Sequence, residues 1–343
     1  MTHVCSQVYL WEGGLGEGGL AETGPGGPAA VMDPDRLKGQ HPLWQNDQEQ
    51  FGPWDPAGLL FEDLPKIKDA GAFSKSGPGP SGQLGRLPGR IWHARQSQGD
   101  SRTIICGPCA SAMDVAWMFL RKGLIRPWDS VLAVSQQAGR GRHQRSWLSP
   151  AGNLYAAWCW PRADQPSGSE WAGLFPLLAG WLLADYLESP SLTVRIKWPN
   201  DLLVNGRKIG GILLEQQHGD VLVGIGLNLA SHPEDTCLRD DFAVGATSFK
   251  EEGLPATPLG LWTDLTSAAR RRFEQVVKAF SPEEWIPLLN RRLAWVGRPV
   301  LVQTGRSEVY EAIPLGLAPD GGLRLRCGPA TQVIYSGSII PAE

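Results

Sequence analysis

The chain has 343 residues, of which 42% are hydrophobic and 20% charged, and its formal net charge is −3. This composition supports a buried core over about two domains and excludes a wholly disordered or collagen-like chain. Because the net charge is near zero, no overall basic field recruits nucleic acid or an anionic membrane, and we expect neither as a partner.

A membrane-spanning or export segment is not predicted. The longest uncharged apolar run, Trp171–Ala184, has 14 residues and contains Pro176, whereas a spanning helix needs about 20. No lysine or arginine precedes Arg36, so the amino terminus lacks the basic start of a signal or transit peptide. We therefore expect a soluble, cytoplasmic protein.

The first hundred residues differ in composition from the rest. Glycine and proline supply 28 of residues 1–100 but only 42 of the remaining 243. We predict a Gly/Pro-rich segment that is linker-like or partly ordered, since Trp11, Trp44, Trp54 and Trp92 argue against complete disorder. It shows no paired amphipathic helices of the helix-turn-helix kind, so a DNA-binding head is not expected.

A Cys-Gly-Pro-Cys string joins a predicted strand, Thr103–Ile105, to a predicted helix that starts at Ala112. The spacing of Cys106 and Cys109 is typical of thioredoxin-type redox sites. Because no compact βαβ unit of about 100 residues is predicted around the pair, we favour two ordinary thiols at a strand–helix turn.

From residue 101 onward, helical and strand patterns follow one another. The predicted helices are Ala112–Arg121, Trp171–Leu187, Leu259–Phe280 and Pro282–Val296. The further predicted strands are Val131–Val134, Asn153–Trp160, Val194–Trp198, Leu202–Val204, Ile209–Gln216 and Asp220–Asn228, with Asn205-Gly206 as a type I′ hairpin turn.

These elements predict an α+β fold. Residues 101–296 are expected to form a catalytic domain with a mixed or antiparallel sheet flanked by helices. Residues 297–343 are expected to form a small C-terminal β-barrel. Its predicted strands are Val300–Thr304, Glu308–Ile313, Gly322–Cys327 and Thr331–Tyr335.

Glycines and arginines alternate in Gln136–Trp147, between two predicted strands. Glycine lets backbone N–H groups face an anion, and arginine offers a fixed fork of donors that suits phosphate or carboxylate. A disordered RNA-binding tract has a similar composition but is longer and repeated. We therefore predict an ordered anion-binding loop.

Two further motifs follow the loop. The segment Lys197–Glu215 is predicted as strand, hairpin and strand, and it holds two lysines, an amide and a carboxylate on rigid elements, as a preorganised site requires. Either lysine alone is equally explained as the solvated end of a strand. The strand Val223–Leu229 is too rich in glycine for an ordinary strand, which indicates close packing on its backbone or a bulge.

Together these motifs resemble the catalytic domain of biotin protein ligases. That family carries, in this order, a Gly-Arg-Gly-Arg loop, a Lys-Trp-Pro-Asn-Asp segment, a Lys-(Ile/Leu)-x-Gly-Ile-Leu-x-Glu strand and a Gly-Ile-Gly-x-Asn strand. The segment Ser149–Tyr155 also matches. The resemblance covers residues 103–230 strongly and 297–340 more weakly.

The resemblance implies an ATP-dependent ligase. Such an enzyme activates biotin as biotinyl-5′-AMP and transfers the biotinyl group to a lysine of a biotin carboxyl carrier domain, of the acetyl-CoA carboxylase type. Mg²⁺ would accompany ATP and share in offsetting the negative charge, and Asp201 would be the residue that meets the metal. The acidic residues of the first hundred positions, such as Asp33 and Asp35, show no metal-ligand spacing. A monomer or a homodimer is expected.

The resemblance also implies roles for single residues. Arg142 and Lys208 are expected to be catalytic, because cations must offset the repulsion between a carboxylate and a phosphate. The residues expected to bind biotin and its adenylate are Ser111, Gln136, Gly139, Arg140, Gly141, Arg145, Trp147, Gly210 and Gly211. On the nucleotide side the expected residues are Lys197, Asn200, Asp201 and Asn228.

One departure concerns the arginine loop. After Arg142 the family usually continues Arg-Gly-Arg, whereas this chain has His143, Gln144 and Arg145. If a positive φ falls on Gln144, the loop closes less firmly and the adenylate is retained less well. We interpret His143 as loop surface.

Two other functions fit parts of the pattern. A lipoate-type or other acyl-adenylate ligase shares adenylation and transfer to lysine, and a non-catalytic biotin-binding module shares the pocket. The Lys-Trp-Pro-Asn-Asp and Gly-Arg-Gly-Arg pair favours biotin. The joint presence of Arg142, Lys197 and Lys208 argues against a mere binder.

Overall fold

The computed structural model describes residues 6–13, 73–75, 89–94, 101–106, 109–164, 170–235, 243–254, 256–305 and 308–342, the first three ranges as backbone only. The prediction that tryptophans order the first hundred residues falls outside this description. Trp44 and Trp54 lie outside the described residues, and the side chains of Trp11 and Trp92 are not described.

Ten strands of the described residues form one mixed sheet. In chain order they are β1 (Ser6–Gly13), β2 (Phe73–Lys75), β3 (Gly89–Ala94), β4 (Ser101–Cys106), β5 (Ser130–Ala133), β6 (Leu154–Trp160), β7 (Val194–Lys197), β8 (Asp201–Val204), β9 (Arg207–Gln217) and β10 (Asp220–Leu227). Their order across the sheet is β2-β3-β1-β4-β5-β6-β10-β9-β8-β7. The pairs β1–β4 and β4–β5 are parallel. The predicted mixed sheet is confirmed.

Helix α1 (Ala112–Arg121) connects the parallel strands β4 and β5. Parallel neighbours need such a crossover, because a tight hairpin can join only antiparallel strands. A short βαβ unit, residues 101–133, therefore contains Cys106 and Cys109.

The helices cover both faces of the sheet. Helix α1 packs on one face. On the other face lie α2 (Phe175–Leu187), α3 (Pro258–Ala279) and α4 (Pro282–Asn290). Ten of the 13 residues of α2 are buried, because the helix lies between the sheet and α3. Among the described helices, none is long and apolar enough to cross a membrane.

Strand β6 shows why the middle of the sheet is apolar on both faces. Trp158 and Trp160 join the cluster under α2 and α3, while Tyr155 and Ala157 join the cluster under α1. Successive side chains of a strand point to opposite faces, so a strand covered on both sides needs apolar residues at every position. All seven residues of β6 are accordingly buried.

The C-terminal residues form a five-stranded antiparallel sheet with the order β14-β13-β12-β11-β15. Its strands are β11 (Val300–Thr304), β12 (Glu308–Leu317), β13 (Leu323–Cys327), β14 (Ala330–Ile334) and β15 (Ser338–Pro341). The first four agree with the predicted runs, and β15 was not predicted. Among the described residues, no pairing closes the sheet into a barrel.

The two sheets share one hydrophobic cluster, which contains Val300 and Leu325 together with Trp285 and Leu289 of α4. The indole N–H of Trp198 also donates to the carbonyl of Gly321 at 3.1 Å. The predicted hairpin is confirmed, since Asn205 and Gly206 have φ values of 51° and 77°, both left-handed as a type I′ turn requires.

A buried ion pair fixes the start of β5 against β4. The Asp129 side chain is fully buried and accepts from the backbone N–H of Arg102 at 2.8 Å and that of Arg126 at 2.9 Å. It also bonds the Arg102 guanidinium through Nε at 2.9 Å and through Nη2. Removing one member of such a pair leaves an uncompensated buried charge.

We predict that Asp129→Ala lowers the free energy of unfolding by about 3–5 kcal/mol, measured by urea denaturation. Glu274→Gln is the control, because its partner Arg270 lies on an exposed helix face and such pairs contribute about 0.3–0.5 kcal/mol. Equal losses in both variants would contradict the prediction.

Candidate active site

A cavity of about 500 Å³ brings the three sequence motifs together. Every predicted site residue except Gly139 and Gly210 lines it. Its walls come from the loop after β5, the ends of β7, β8 and β9, the middle of β10, and Gly337 and Ser338 of the C-terminal sheet. No sequence signal indicated the last two residues.

The Asp201 carboxylate lies at the centre of the charged end of this cavity. Its Oδ2 is 3.0 Å from Nζ of Lys197, and its Oδ1 is 2.6 Å from Nζ of Lys208. The three residues come from β7, β8 and β9, so one carboxylate joins three strands. The reading of either lysine as a solvated strand end is wrong for Lys197, which is buried, and does not fit Lys208, which is paired.

A β-bulge places Lys208 on this face. Opposite β8, Leu202 pairs with Gly210 and Leu203 pairs with Lys208, so Ile209 is an extra residue. In a regular ladder Ile209 would oppose Leu203, and Lys208 would point to the other face of the sheet.

Charge sets the protonation of this group. Burial alone would raise the pKa of Asp201, but the cations of Lys208 and Lys197 outweigh burial and hold the pKa far below its usual range. Burial lowers the pKa of Arg142. The nearby positive charge of Arg145 lowers it further, whereas the negative charge of Asp201 acts in the opposite direction. Among the described residues that line the cavity, Asp201 is the one carboxylate, against Arg140, Arg142, Arg145, Lys197 and Lys208.

Arg140 is bound to protein carboxylates. Its Nη2 lies 2.7 Å from Asp114 Oδ1 on α1, and its Nε lies 3.2 Å from Glu215 Oε1 on β9. The other Glu215 oxygen accepts from the indole of Trp117 at 2.6 Å. The hydrogen bond to Asp114, supported by Glu215, raises the pKa of Arg140. Its side chain thus fastens the anion-binding loop to the sheet.

Asp114, Trp117 and Glu215 were missed as functional residues by the sequence reasoning. Glu215 stands within the quoted strand motif, which could have indicated a structural partner for the arginine loop. Asp114 and Trp117 have no sequence signal of their own, because their partners are distant along the chain. Trp117 is separated from Glu215 by 98 positions and Asp114 from Arg140 by 26.

The glycines make room for protein atoms in this structure. A Cβ on Gly139 would lie 2.6 Å from the Trp147 carbonyl oxygen, and one on Gly210 would lie 2.8 Å from the Gly226 carbonyl oxygen. A Cβ on Gly211 or Gly226 would meet the Trp147 ring at 3.0 or 2.7 Å. The Trp147 ring therefore packs directly on the backbone of β9 and β10 at these glycines and forms a wall of the cavity. Nζ of Lys208 lies 4.9 Å from the centre of its ring.

Gln136 and Ser111 form the polar end of the cavity. The Gln136 oxygen accepts from the N–H of Ala112 at 2.9 Å, and its amide nitrogen donates to Ser149 Oγ at 2.8 Å. Ser111 is buried, and its oxygen caps α1 by accepting from Met113 N–H at 3.3 Å. Each side chain keeps further hydrogen-bonding capacity for a ligand.

The two predicted nucleotide-side amides are also engaged with the backbone. Asn200 donates to the carbonyl of Ile212 at 2.6 Å, and Asn228 donates to that of Thr247 at 3.0 Å. Both line the cavity. Their amide groups brace the loops that form it, and their oxygens are the atoms left to face a ligand.

The left-handed residue of the arginine loop is His143, with φ 56° and ψ 34°. Gln144 lies in the short 3₁₀ turn Arg142–Gln144, in which His143 is the residue with non-helical backbone angles. The expected strain at Gln144 is therefore wrong, and the argument for weaker adenylate retention loses its basis. Histidine is enriched several-fold in this backbone region among residues with a side chain. His143 is exposed, as predicted, although it also lines the cavity.

The apolar part of the cavity was only partly predicted. Besides Trp147, it is lined by Met113, Tyr155, Ile225 and Gly224. Among the described residues, no group of three or more His, Cys, Asp or Glu side chains is arranged to hold a metal ion.

Comparison with known proteins gives consistent relatives. The biotin/lipoate A/B protein ligase family matches residues 107–230. The biotin–[acetyl-CoA-carboxylase] ligase of Paracoccus denitrificans is 33% identical over 221 residues, which cover 61% of this chain and 88% of that protein. The enzyme of the same name from Mycobacterium tuberculosis is 35% identical over 217 residues, which cover 61% and 77%.

A solved structure shares the fold. The biotin protein ligase from Aquifex aeolicus, in complex with biotin and ATP, has a TM-score of 0.57 and 20% identity. The match covers 69% of this chain and 97% of that one. At this level of identity the likeness supports the fold alone.

We predict that Asp201→Asn makes the free energy of unfolding depend less on pH in the acid range. In the folded state the pKa of Asp201 lies below its unfolded value of about 4. Its carboxylate therefore stabilises the fold at any pH above about 4, and this contribution is lost as the pH falls toward the pKa of the folded state. The variant should be less stable at pH 7, and the difference should shrink in acid. Urea denaturation from pH 7 to about 3 tests this, and a difference independent of pH would contradict it.

We predict that Arg140→Ala loosens the arginine loop. The amides of Gly141 and Trp147 donate within the loop, to Arg145 O at 2.7 Å and Gly139 O at 2.8 Å. They should exchange with deuterium faster in Arg140→Ala, and also in Glu215→Gln, because each change removes a charge-assisted anchor. Arg270→Ala, on an exposed helix, is the control. Unchanged exchange in both loop variants would show that the ion pairs do not hold the loop.

Proposed function

The chain belongs to the biotin protein ligase family, and from that membership we propose that it activates biotin with ATP and attaches it to a carrier protein. The product of the first step is biotinyl-5′-AMP, with release of pyrophosphate. In the second step a lysine of a biotin carboxyl carrier domain, of the acetyl-CoA carboxylase type, accepts the biotinyl group and AMP leaves.

The observation that carries this proposal is the excess of cations around Asp201 at one end of a cavity whose other part is apolar. Lys197, Lys208 and Arg142 meet there, with one carboxylate between the two lysines. Forming the adenylate presses the biotin carboxylate against the α-phosphate, and two anions repel each other. Fixed cations in a partly buried site stabilise the charge that develops on the phosphoryl oxygens.

Asp201 has a positioning role in this proposal. Its ion pairs hold Lys197 and Lys208 in place before any ligand arrives, so little reorganisation is needed when the phosphate binds. Lys208 and Arg142 then act on the reacting carboxylate and phosphoryl oxygens. Lys197, which is more deeply buried than Lys208, keeps Asp201 ionised.

The biotin would lie along the apolar wall. Its uncharged ring system fits the end with Ser111 and Gln136, where one hydroxyl proton and the spare capacity of one amide are available. Its aliphatic chain fits against Trp147 and Met113, and its carboxylate then points toward Arg142 and Lys208. The adenylate would be covered by the backbone of Gly139–Arg145, which Arg140 fastens in place.

Mg²⁺ would enter with ATP. Magnesium is usually held by one or two carboxylates together with substrate phosphates, and within the described part of the chain Asp201 is the single carboxylate that lines the cavity. When bound, the ion supplies further charge neutralisation for the phosphates. Asn200 and Asn228 would present their amide oxygens to the nucleotide, and the cytoplasm, which supplies ATP, is the compartment we propose.

A lipoate ligase is the second candidate, because the matching family includes lipoate as well as biotin ligases. The sequence relatives with the names quoted above are biotin ligases, and this favours biotin. A non-catalytic biotin binder would not need the cation cluster. These alternatives are separated by the experiment that follows.

We predict that the full chain, with ATP, Mg²⁺ and biotin, adds one biotinyl group to a biotin carboxyl carrier domain, detected by intact mass. Arg142→Ala should slow the reaction by about 10²–10³-fold, as loss of one charge-stabilising donor does, whereas Arg121→Ala, at the exposed end of α1, should not. Modification with lipoate in place of biotin would establish the second candidate. No modification, with biotin still raising the melting temperature, would leave a binding module.

A further inference from the structure

The thiols of Cys106 and Cys109 lie next to each other outside the cation cluster. Both cysteines are free, and their sulfur atoms are 3.9 Å apart. Cys106 is the last residue of β4 and is buried, while Cys109 is partly exposed at the approach to α1. Neither thiol has a part in the ligation proposed above.

We propose that Cys106 and Cys109 are a redox-active pair that closes into an intramolecular disulfide in the presence of a small disulfide such as oxidised glutathione. The Cys109 thiolate attacks one glutathione sulfur, breaks the disulfide and releases one glutathione. Cys106 loses its proton to solvent and attacks the Cys109 sulfur, which expels the second glutathione. The two protein thiols are oxidised, and one disulfide is reduced to two thiols.

The difference in surroundings sets the order of attack. Cys109 is the accessible sulfur, because it is partly exposed whereas Cys106 is buried. Cys106 donates to the carbonyl of Leu132 at 3.2 Å. The hydrogen bond with Cys109, together with burial, raises the pKa of Cys106, so it stays a thiol until the mixed disulfide is in place.

The local fold is suited to this chemistry. The pair lies between a strand and a helix of a βαβ unit, with the spacing Cys-Gly-Pro-Cys. In such units, two cysteines separated by two residues are typical of dithiol redox sites. By contrast, Cys159 is buried, and burial raises its pKa to about 12.

The pair is joined to the polar end of the cavity through the backbone. Cys109 bridges to Gln136, its N–H donates to the Ser135 carbonyl at 3.2 Å, and its carbonyl accepts from Gln137 N–H at 2.9 Å. Gln136 in turn holds the first turn of α1 through Ala112 N–H. We expect disulfide formation, which shortens the 3.9 Å between the sulfurs to covalent distance, to move the turn at Cys109 and with it the backbone that carries Gln136.

Oxidation is accordingly expected to weaken biotin binding, a consequence that rests on the proposed function. The expected loss of affinity is about tenfold, equivalent to one hydrogen bond. Formation of the disulfide does not rest on the proposed function, because it can be measured without any ligand.

The test uses the reduced full chain incubated with oxidised glutathione, followed by alkylation, trypsin digestion and mass spectrometry. Cleavage after Arg102 and Arg121 leaves both cysteines in one peptide, residues 103–121. We expect this peptide to lose two hydrogen atoms without gaining glutathione, and to regain them on reduction. Cys106→Ser should instead trap glutathione on Cys109, and Cys327→Ser is the control that should behave as the parent chain.

An unmodified peptide, or a glutathione adduct that persists on Cys109 in the parent chain, would overturn the redox pair. Biotin affinity of the reduced and oxidised chain, measured by calorimetry, tests the coupling, with Cys109→Ser expected not to respond to the oxidant. Equal affinity in both states would overturn the coupling. If neither state bound biotin, the proposed function would fail while the peptide masses still decided the redox pair.

Discussion

One carboxylate organises the charged end of the cavity. Asp201 accepts from Lys197 and Lys208, which lie on the two strands beside its own. Two lysines brought this close would repel each other without the anion, and a buried carboxylate would be costly without the lysines. The ion cluster is therefore stable only as a set, and it leaves a surplus of positive charge that faces the cavity.

The rest of the site is arranged around this cluster by packing. Trp147 needs the bare backbones of Gly211 and Gly226, and its ring forms the wall over which Lys208 extends. The arginine loop reaches the cavity because Arg140 ties it to Asp114 and Glu215, on two different elements. The two arginines therefore have different roles. Arg140, which is paired with two carboxylates, holds the loop backbone, and Arg142 can act on the ligand.

The redox pair, if closed, would act on the opposite end of the same cavity. Its effect would pass through main-chain hydrogen bonds between the Cys109 turn and the segment after β5 that carries Gln136, which need no large movement. The cation cluster lies on the far strands of the sheet, β7 to β9. Ligand recognition and charge stabilisation are thus built on separate elements.

The sequence alone determined the kinds of residue and most of the elements. Hydrophobic periodicity and the Asn205-Gly206 turn predicted the helices and strands from residue 101 onward, because these patterns depend on neighbours a few positions apart. The motifs identified the cations and nearly all of the cavity lining, since a loop or a hairpin holds such residues together locally. The family resemblance then supplied the chemistry that links them.

Only the tertiary structure decided which partner each side chain finds. The sequence assigned Arg140 to the ligand, whereas the fold pairs it with Asp114 and Glu215. In the sequence, Gln144 stands where the family has glycine, whereas the left-handed residue of the loop is His143. It did not show the bulge at Ile209 that turns Lys208 toward Asp201, nor the parallel βαβ unit around Cys106 and Cys109. These features depend on strand register or on contacts between distant segments. Local residue spacing does not encode register, because the same pattern fits more than one register until the strands are packed.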